Sequence, residues 1–333
     1  MMNDEPEKTP PPSSADGSIY GSDIIAEALR EHEFPYICLN PGASYRGLHD
    51  SLVNYLGNHT PKIITCMHEE HAVGIAQGYA KITDKALAVA VHSNVGLMHA
   101  SMGVFNAWCD RIPMLILGAT GPLDAARRRP WIEWIHTAID QGSIVRGFTK
   151  WDDQPASPQA AVEAIHRGVM LTNTAPSGPV YVNLDVTIQE QQIDFERNPV
   201  GVEYYSAPED TEPPKKALSE ALDILLRAKK PFIFCGRGRR SESEWDDRIR
   251  LAEQLNARTT THVKLPAGFP TTHPLFIGET GWRLKGSILS AIKSADAILV
   301  LDWLDGGNTL NQAFPPGSPR PPIINVSNDF HLH

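Results

Sequence analysis

Short, continuous apolar runs alternate with stretches of helical period from Ser18 almost to the C-terminus. "YICLN", "KIITC", "ALAVAV", "PMLILGAT" and "GPVYVNL" lack polar alternation, which predicts strands buried on both faces. Between them, "GSDIIAEALREHE", "RGLHDSLVNYLG", "EEHAVGIAQGYAKIT", "LMHASMGVFNAWCD" and "SPQAAVEAIHRGVMLT" repeat apolar residues at helical spacing. Ser22 or Asp23 is the expected N-cap of the first helix. Right-handed crossovers turn such a series into a doubly wound parallel sheet. Ligands of such sheets bind beyond the carboxyl ends of the strands.

The rhythm stops at 191–213, where the chain turns polar and Pro-rich; this reads as an interdomain linker. It resumes over 214–333. "KKALSEALDILLRAKK", "SEWDDRIRLAEQLN" and "KGSILSAIKSAD" predict helices, and "PFIFCG", "ARTTTHV", "AILVLD" and "PPIINVS" predict strands. The expected fold is therefore α/β, with two doubly wound parallel-sheet domains at 18–190 and 214–333. Residues 1–17 are rich in Pro, Ser and Glu and have no apolar signal-peptide core, so a disordered tail is expected there.

Composition narrows the function. A length of 333 residues suits two domains, and a 41% hydrophobic content can fill their cores. The net charge of −9 argues against a nucleic-acid partner, since phosphate binding needs a basic face. No run of about 18 apolar residues is present to span a membrane as a helix. Cys38, Cys66, Cys109 and Cys235 lie far apart without a CxxC pair, which suits reduced thiols in the cytoplasm and offers no metal framework. All but one sit in apolar runs, where packing is the expected role.

Four places could carry chemistry. Glu69 and Glu70 open a helix pattern between His68 and His71. Carboxylates there favour the helix dipole whatever else they do. His68 and His71 share a helix face, but no third ligand is evident and the H-E-x-x-H zinc spacing is absent, so no metal site is expected. His92 and Ser93 follow the strand "ALAVAV" and precede a Gly-containing turn, either capping the strand end or facing the sheet mouth. Without a G-x-S-x-G elbow they do not make a hydrolase. "CGRGRR" has a G-x-G at Gly236 and Gly238, which is either a tight βα turn or part of a dinucleotide site. Arg127, Arg128 and Arg129 form a basic loop, for solvent or for an anion, and nearby Trp131 and Trp134 favour a subunit or domain contact.

The pieces "NPGAS", "HEEHAVGIAQGYAK", "AVHSNVG", "FNAWCDRIPMLIL", "FTKWDDQPAS" and "APSGPVYVNLDV" occur in the order and spacing of one family. The first half resembles the pyrimidine-binding domain of the thiamine diphosphate-dependent decarboxylase and acetolactate synthase superfamily. The second half, "ALDILLRAKKPFIFCGRG" to "PPIINVSND", is similar to its Rossmann-like central domain, and the resemblance is nearest to the benzoylformate decarboxylase branch.

The resemblance implies that Glu69 activates the cofactor by hydrogen-bonding the N1′ nitrogen of its aminopyrimidine, with Glu70 structural. It implies that His92, 23 residues later, handles protons near a small 2-keto acid substrate. Pro41, Gly42, Gly96 and His99 join Glu69 as cofactor-side residues, and Ala43, Ser44, Ser93 and His136 join His92 on the substrate side. The branch's substrate-binding serine aligns with Ala43, and Ser44 comes one position late. Leu97, Met98 and His99 give a bulkier cofactor wall than in relatives. The superfamily also implies a third domain that binds the diphosphate through Mg²⁺ with a Gly-Asp-Gly motif. No such motif occurs, and "DGGN" at Asp305 to Asn308 has the wrong setting. The expectation is a two-domain piece, or a subunit completed by a chain carrying that domain, within a homodimer or homotetramer. FAD binding, as in the synthase and oxidase branches, has little motif support. The competing readings are a non-catalytic partner subunit and a nucleotide-binding Rossmann-like module.

Overall fold

The computed structural model describes residues 17–194, 201–208, 212–239 and 241–329. All but the last residue of the expected tail, 1–17, lies outside the described residues. The chain divides into two compact units, Met1–Pro208 and Glu209–His333.

The first unit is built on a six-stranded sheet. Its order is Lys62–Thr65, Tyr36–Leu39, Leu87–Ala90, Met114–Thr120, Pro179–Asp185 and Asp152–Asp153, with every pairing parallel. The apolar runs are continuous because successive side chains enter two different cores. Ile37, Leu39, Ala88, Ala90, Leu115 and Leu117 pack with Ile25 and Leu29 of helix Gly21–Glu31 and Ile165 of helix Pro158–Asn173. Cys38, Leu87, Val89, Met114 and Ile116 pack on the other face with Val73 of helix Glu69–Thr83 and Val104 of helix Ser93–Cys109. Each fully buried aliphatic side chain contributes about 1.5–3 kcal/mol, so a polar residue in any of these runs would be costly.

The strand order reverses between Tyr36–Leu39 and Leu87–Ala90. The chain leaves the first toward Lys62–Thr65 on one side and then crosses back to the other. Their following loops therefore part, which opens a crevice at the carboxyl ends.

Several local expectations change. The first helix is N-capped by Tyr20, neither Ser22 nor Asp23; Asp23 sits one turn in and its Oδ2 accepts the Tyr20 N–H at 2.8 Å. The expected turn after His92 is the start of helix Ser93–Cys109. "RGLHDSLVNYLG" is an α-turn, Arg46–Asp50, continued as a π-helix, Ser51–Tyr55. Part of the expected linker packs on the first unit: Gln192–Ile193 pairs antiparallel with Ile19–Tyr20, and Tyr205 stacks on His166.

The second unit has a five-stranded parallel sheet in the order Phe276–Thr280, Arg258–His262, Pro231–Cys235, Ala297–Leu301 and Ile323–Val326. Phe232, Phe234, Ile298 and Val300 fill one core, while Ile233, Cys235 and Leu299 enter the other. Phe276–Thr280 and the helix Gly306–Ala313 escape the hydrophobic pattern, one through its Gly and Glu and the other through its polar residues. Asp305 caps that helix, its Oδ1 accepting the Asn308 N–H at 3.1 Å, which is the structural use of "DGGN". Among the described residues no helix is long and apolar enough to cross a membrane.

Candidate functional site

Three segments bring chemistry to the reversal point of the first sheet. The loop after Tyr36–Leu39 carries Pro41, Gly42, Ala43 and Ser44; the end of Leu87–Ala90 leads to His92 and Ser93; and Glu69 begins the helix after Lys62–Thr65.

Glu69 is 4% exposed although it is the first residue of its helix. Its Oε2 accepts a 3.3 Å hydrogen bond from His99 Nδ1, and no described residue donates to Oε1. Gly96 lies opposite: a Cβ there would stand 2.7 Å from Oε1. A glycine one turn into the facing helix thus lets that helix pass close to the carboxyl without a side chain against it. Glu70 is exposed, and its N–H donates to His68 Nδ1 at 3.2 Å. His68, Glu69 and His99 have ligand-capable atoms within 4.8 Å of one another, a group that leaves out His71 and draws His99 from the next helix. The His68 and His99 rings are stacked, 4.8 Å apart and 19° from parallel. In-plane lone pairs of near-parallel rings do not converge on one ion, so this arrangement is not a formed metal centre.

His92 is held more tightly. A Cβ on Gly42 would overlap the His92 ring, so the loop passes directly across the imidazole. Ser44 Oγ stands 2.9 Å from His92 Nδ1 and accepts the Ser93 N–H at 3.1 Å. Ser93 adopts φ +42°, a left-handed conformation that costs a non-glycine residue about 1–3 kcal/mol. Burial first, and then the neighbouring His136, lower the His92 pKa, while Glu69 opposes them. Burial, followed by the charge of Glu69, raises the phenol pKa of Tyr45.

The His136 ring is 5.0 Å from that of His92. Together with Ser44, Arg46, Arg129 and Glu133 these two histidines line a cavity of about 100 Å³. Glu133 is 3% exposed, and Arg129 Nε donates to its Oε1 at 2.6 Å. Arg46 is paired with Glu190 at 2.5 Å. The predicted residues thus form two neighbouring groups, Glu69 with Gly96 and His99, and Gly42, Ala43, Ser44 with His92, Ser93 and His136.

Sequence reasoning missed Arg46, Glu133 and Gln189. Buried Gln189 donates from Nε2 to the Ser44 carbonyl at 3.1 Å and fixes the loop. Its contact spans most of the domain and leaves no local signal. Of the basic loop, Arg129 reaches the cavity, while Trp131 and Trp134 are exposed.

Residues 19–144 match the thiamine pyrophosphate enzyme N-terminal TPP-binding domain, and residues 218–331 match the thiamine pyrophosphate enzyme central domain. The chain belongs to the thiamine pyrophosphate enzymes. It is 26% identical to the acetolactate synthase large subunit of Haemophilus influenzae over 283 residues, which cover 84% of this chain and 48% of that protein. It is 25% identical to the benzoylformate decarboxylase of Pseudomonas aeruginosa over 282 residues, covering 83% of this chain and 50% of the relative. The chain thus spans about half the length of these curated relatives. The solved thiamine diphosphate-dependent 4-hydroxybenzoylformate decarboxylase of Rhodococcus jostii superposes with a TM-score of 0.74 at 19% identity, covering 94% of this chain and 57% of that one.

The buried Glu69 carboxyl, with Oε1 unbonded and a glycine opposite, suits a flat heterocycle that presents a ring nitrogen. In the central domain the first glycine of the G-x-G, Gly236, serves packing. A Cβ on Gly236 would overlap the Leu301 and Asp302 carbonyls, and the Gly236 N–H donates to Leu301 at 2.9 Å. The Arg237 side chain lies across this strand end, bonded at 2.8 Å to both Asp302 Oδ2 and Asp329 Oδ2.

Proposed function

We propose that this chain provides the aminopyrimidine half of a thiamine diphosphate site in a decarboxylase or carboligase acting on a small 2-keto acid. The observation that carries the reading is Glu69: a buried carboxyl at a helix start, with Oε1 unbonded and Gly96 keeping the space before it clear. Bound there, thiamine diphosphate supplies the carbon nucleophile and the electron sink for the keto acid. Glu69 holds the proton at the pyrimidine N1′ position. His92, at the adjoining cavity, meets the substrate and moves a proton to or from it. Arg46 and Arg129 line that cavity, each paired with a glutamate, Glu190 and Glu133, so a carboxylate substrate would have to share or displace those pairs.

These 333 residues contain no Gly-Asp-Gly motif, so the domain that holds the diphosphate and its Mg²⁺ comes from further sequence or from another chain, within a homodimeric or homotetrameric assembly. The setting is the cytoplasm, a reading supported by the four unpaired thiols.

The test is Glu69→Gln in the complete assembly. Exchange of the thiazolium C2 proton of bound thiamine diphosphate, followed by NMR, should be abolished. Exchange at the wild-type rate refutes the role of Glu69.

A further inference from the structure

The contacts of Ser44 differ from those expected of a substrate-binding serine, and they bear on which nitrogen of His92 carries its proton. A serine hydroxyl has one proton to give and two lone pairs. One lone pair is taken by the Ser93 N–H at 3.1 Å, and a backbone amide has no choice of direction. The remaining neighbour is His92 Nδ1 at 2.9 Å. If Nδ1 carried the proton, it would donate to the second lone pair. The hydroxyl proton of Ser44 would then have no acceptor among the described residues, although Ser44 is 7% exposed. Ser44 lines the cavity, so that proton would be left to the cavity's water alone. The alternative satisfies every group: Ser44 donates to an unprotonated Nδ1, and the His92 proton sits on Nε2.

We propose that Ser44 is a positioning residue that holds neutral His92 as the Nε2–H tautomer, so that His92 faces the cavity as a hydrogen-bond donor. Three other features serve the same end. Gln189 pins the Ser44 carbonyl at 3.1 Å. Gly42 lets the loop lie flat on the imidazole. The left-handed Ser93 turns its N–H onto Ser44 Oγ. Placement of the serine at position 44 and not 43 is what gives it to the histidine. The groups facing His92 are His136, whose ring is 5.0 Å away, and the Glu69 carboxylate. Burial and His136 keep His92 neutral, the state in which its tautomer matters.

The inference deepens the proposed function, because a donor at Nε2 fits a hydrogen bond to an oxygen of the keto acid substrate. Its test does not depend on turnover. In the ¹⁵N-histidine-labelled full chain, long-range ¹H–¹⁵N correlation distinguishes pyridine-type from pyrrole-type ring nitrogens. The chain has 13 histidines, so His92 is assigned by its disappearance in His92→Gln. The wild type should show a pyridine-type Nδ1 displaced by an accepted hydrogen bond, and a pyrrole-type Nε2. Ser44→Ala should return Nδ1 to the unbonded position or mix the tautomers, and Ser44→Thr should keep the wild-type pattern. A protonated Nδ1 in the wild type, or an Nδ1 signal unmoved in a folded Ser44→Ala, overturns the inference. If the tautomer is as inferred while Glu69→Gln leaves C2 exchange intact, the functional reading fails and the positioning role stands.

Discussion

His32 and His166 join two helices of the first unit through one hydrogen bond, Nε2 to Nδ1 at 2.9 Å. His166 is 1% exposed, stacks on Tyr205, and has Glu31 Oε2 3.6 Å from its Nε2. Burial, and then the charge of His166, lower the His32 pKa to about 4. An unfolded histidine titrates near 6.5. Between these values the unfolded chain binds more protons than the native one. The contribution is therefore fully present above about pH 6.5 and is lost as pH falls toward about 4. From pH 7 to 5 the unscreened linkage is about 2 kcal/mol. His32 is only half-buried, and screening reduces the figure to about 1 kcal/mol. With a urea dependence of about 2–3 kcal/mol per molar, the unfolding midpoint should fall by about 0.4 M more in the wild type than in His32→Gln. The glutamine amide can still bond His166 but does not titrate, and the difference between the two proteins cancels every other ionisation. Far-UV circular dichroism in urea at both pH values supplies the midpoints. Equal losses in wild type and His32→Gln would refute the reasoning.

Other outcomes follow from single contacts. Gly96→Ala pushes a methyl to 2.7 Å from Glu69 Oε1, and should slow C2 proton exchange in the complete assembly by about ten-fold or more while the urea midpoint stays near wild type. Arg237→Met removes a cation that bonds both Asp302 and the fully buried side chain of Asp329. The second unit should lose about 3–5 kcal/mol, read as earlier thermal loss of its own amide protection. In the native chain a thiol reagent should label Cys109 quickly and the other cysteines slowly, counted by mass spectrometry. Cys109 is exposed, whereas Cys38, Cys66 and Cys235 are buried, with burial pushing Cys38 and Cys235 up to about 12. The isolated chain should bind thiamine diphosphate negligibly by calorimetry, and micromolar affinity would show that the diphosphate needs no further domain.

What the sequence made legible was what depends on one side chain's neighbours along the chain. "ALAVAV" announces a strand covered on both faces because alternate residues enter two apolar cores, and Leu87 and Ala88 do so. Glu69 and His92 stand at strand ends by the same logic, and the family motifs add their roles. Less legible was whatever depends on a partner far away. His99 reaches Glu69 from the next helix, Gln189 holds Ser44 across the domain, and Arg237 closes a strand end by meeting Asp329. The turn expected after His92 failed for a related reason. Asn94 and Gly96 weaken a helix locally, yet the helix begins at Ser93, where the Ser44 hydroxyl supplies the acceptor for its first N–H. A serine one position late therefore has a consequence that the alignment alone could not give. It is bonded to the histidine, and so bears on whether His92 meets the cavity as a hydrogen-bond donor or as an acceptor.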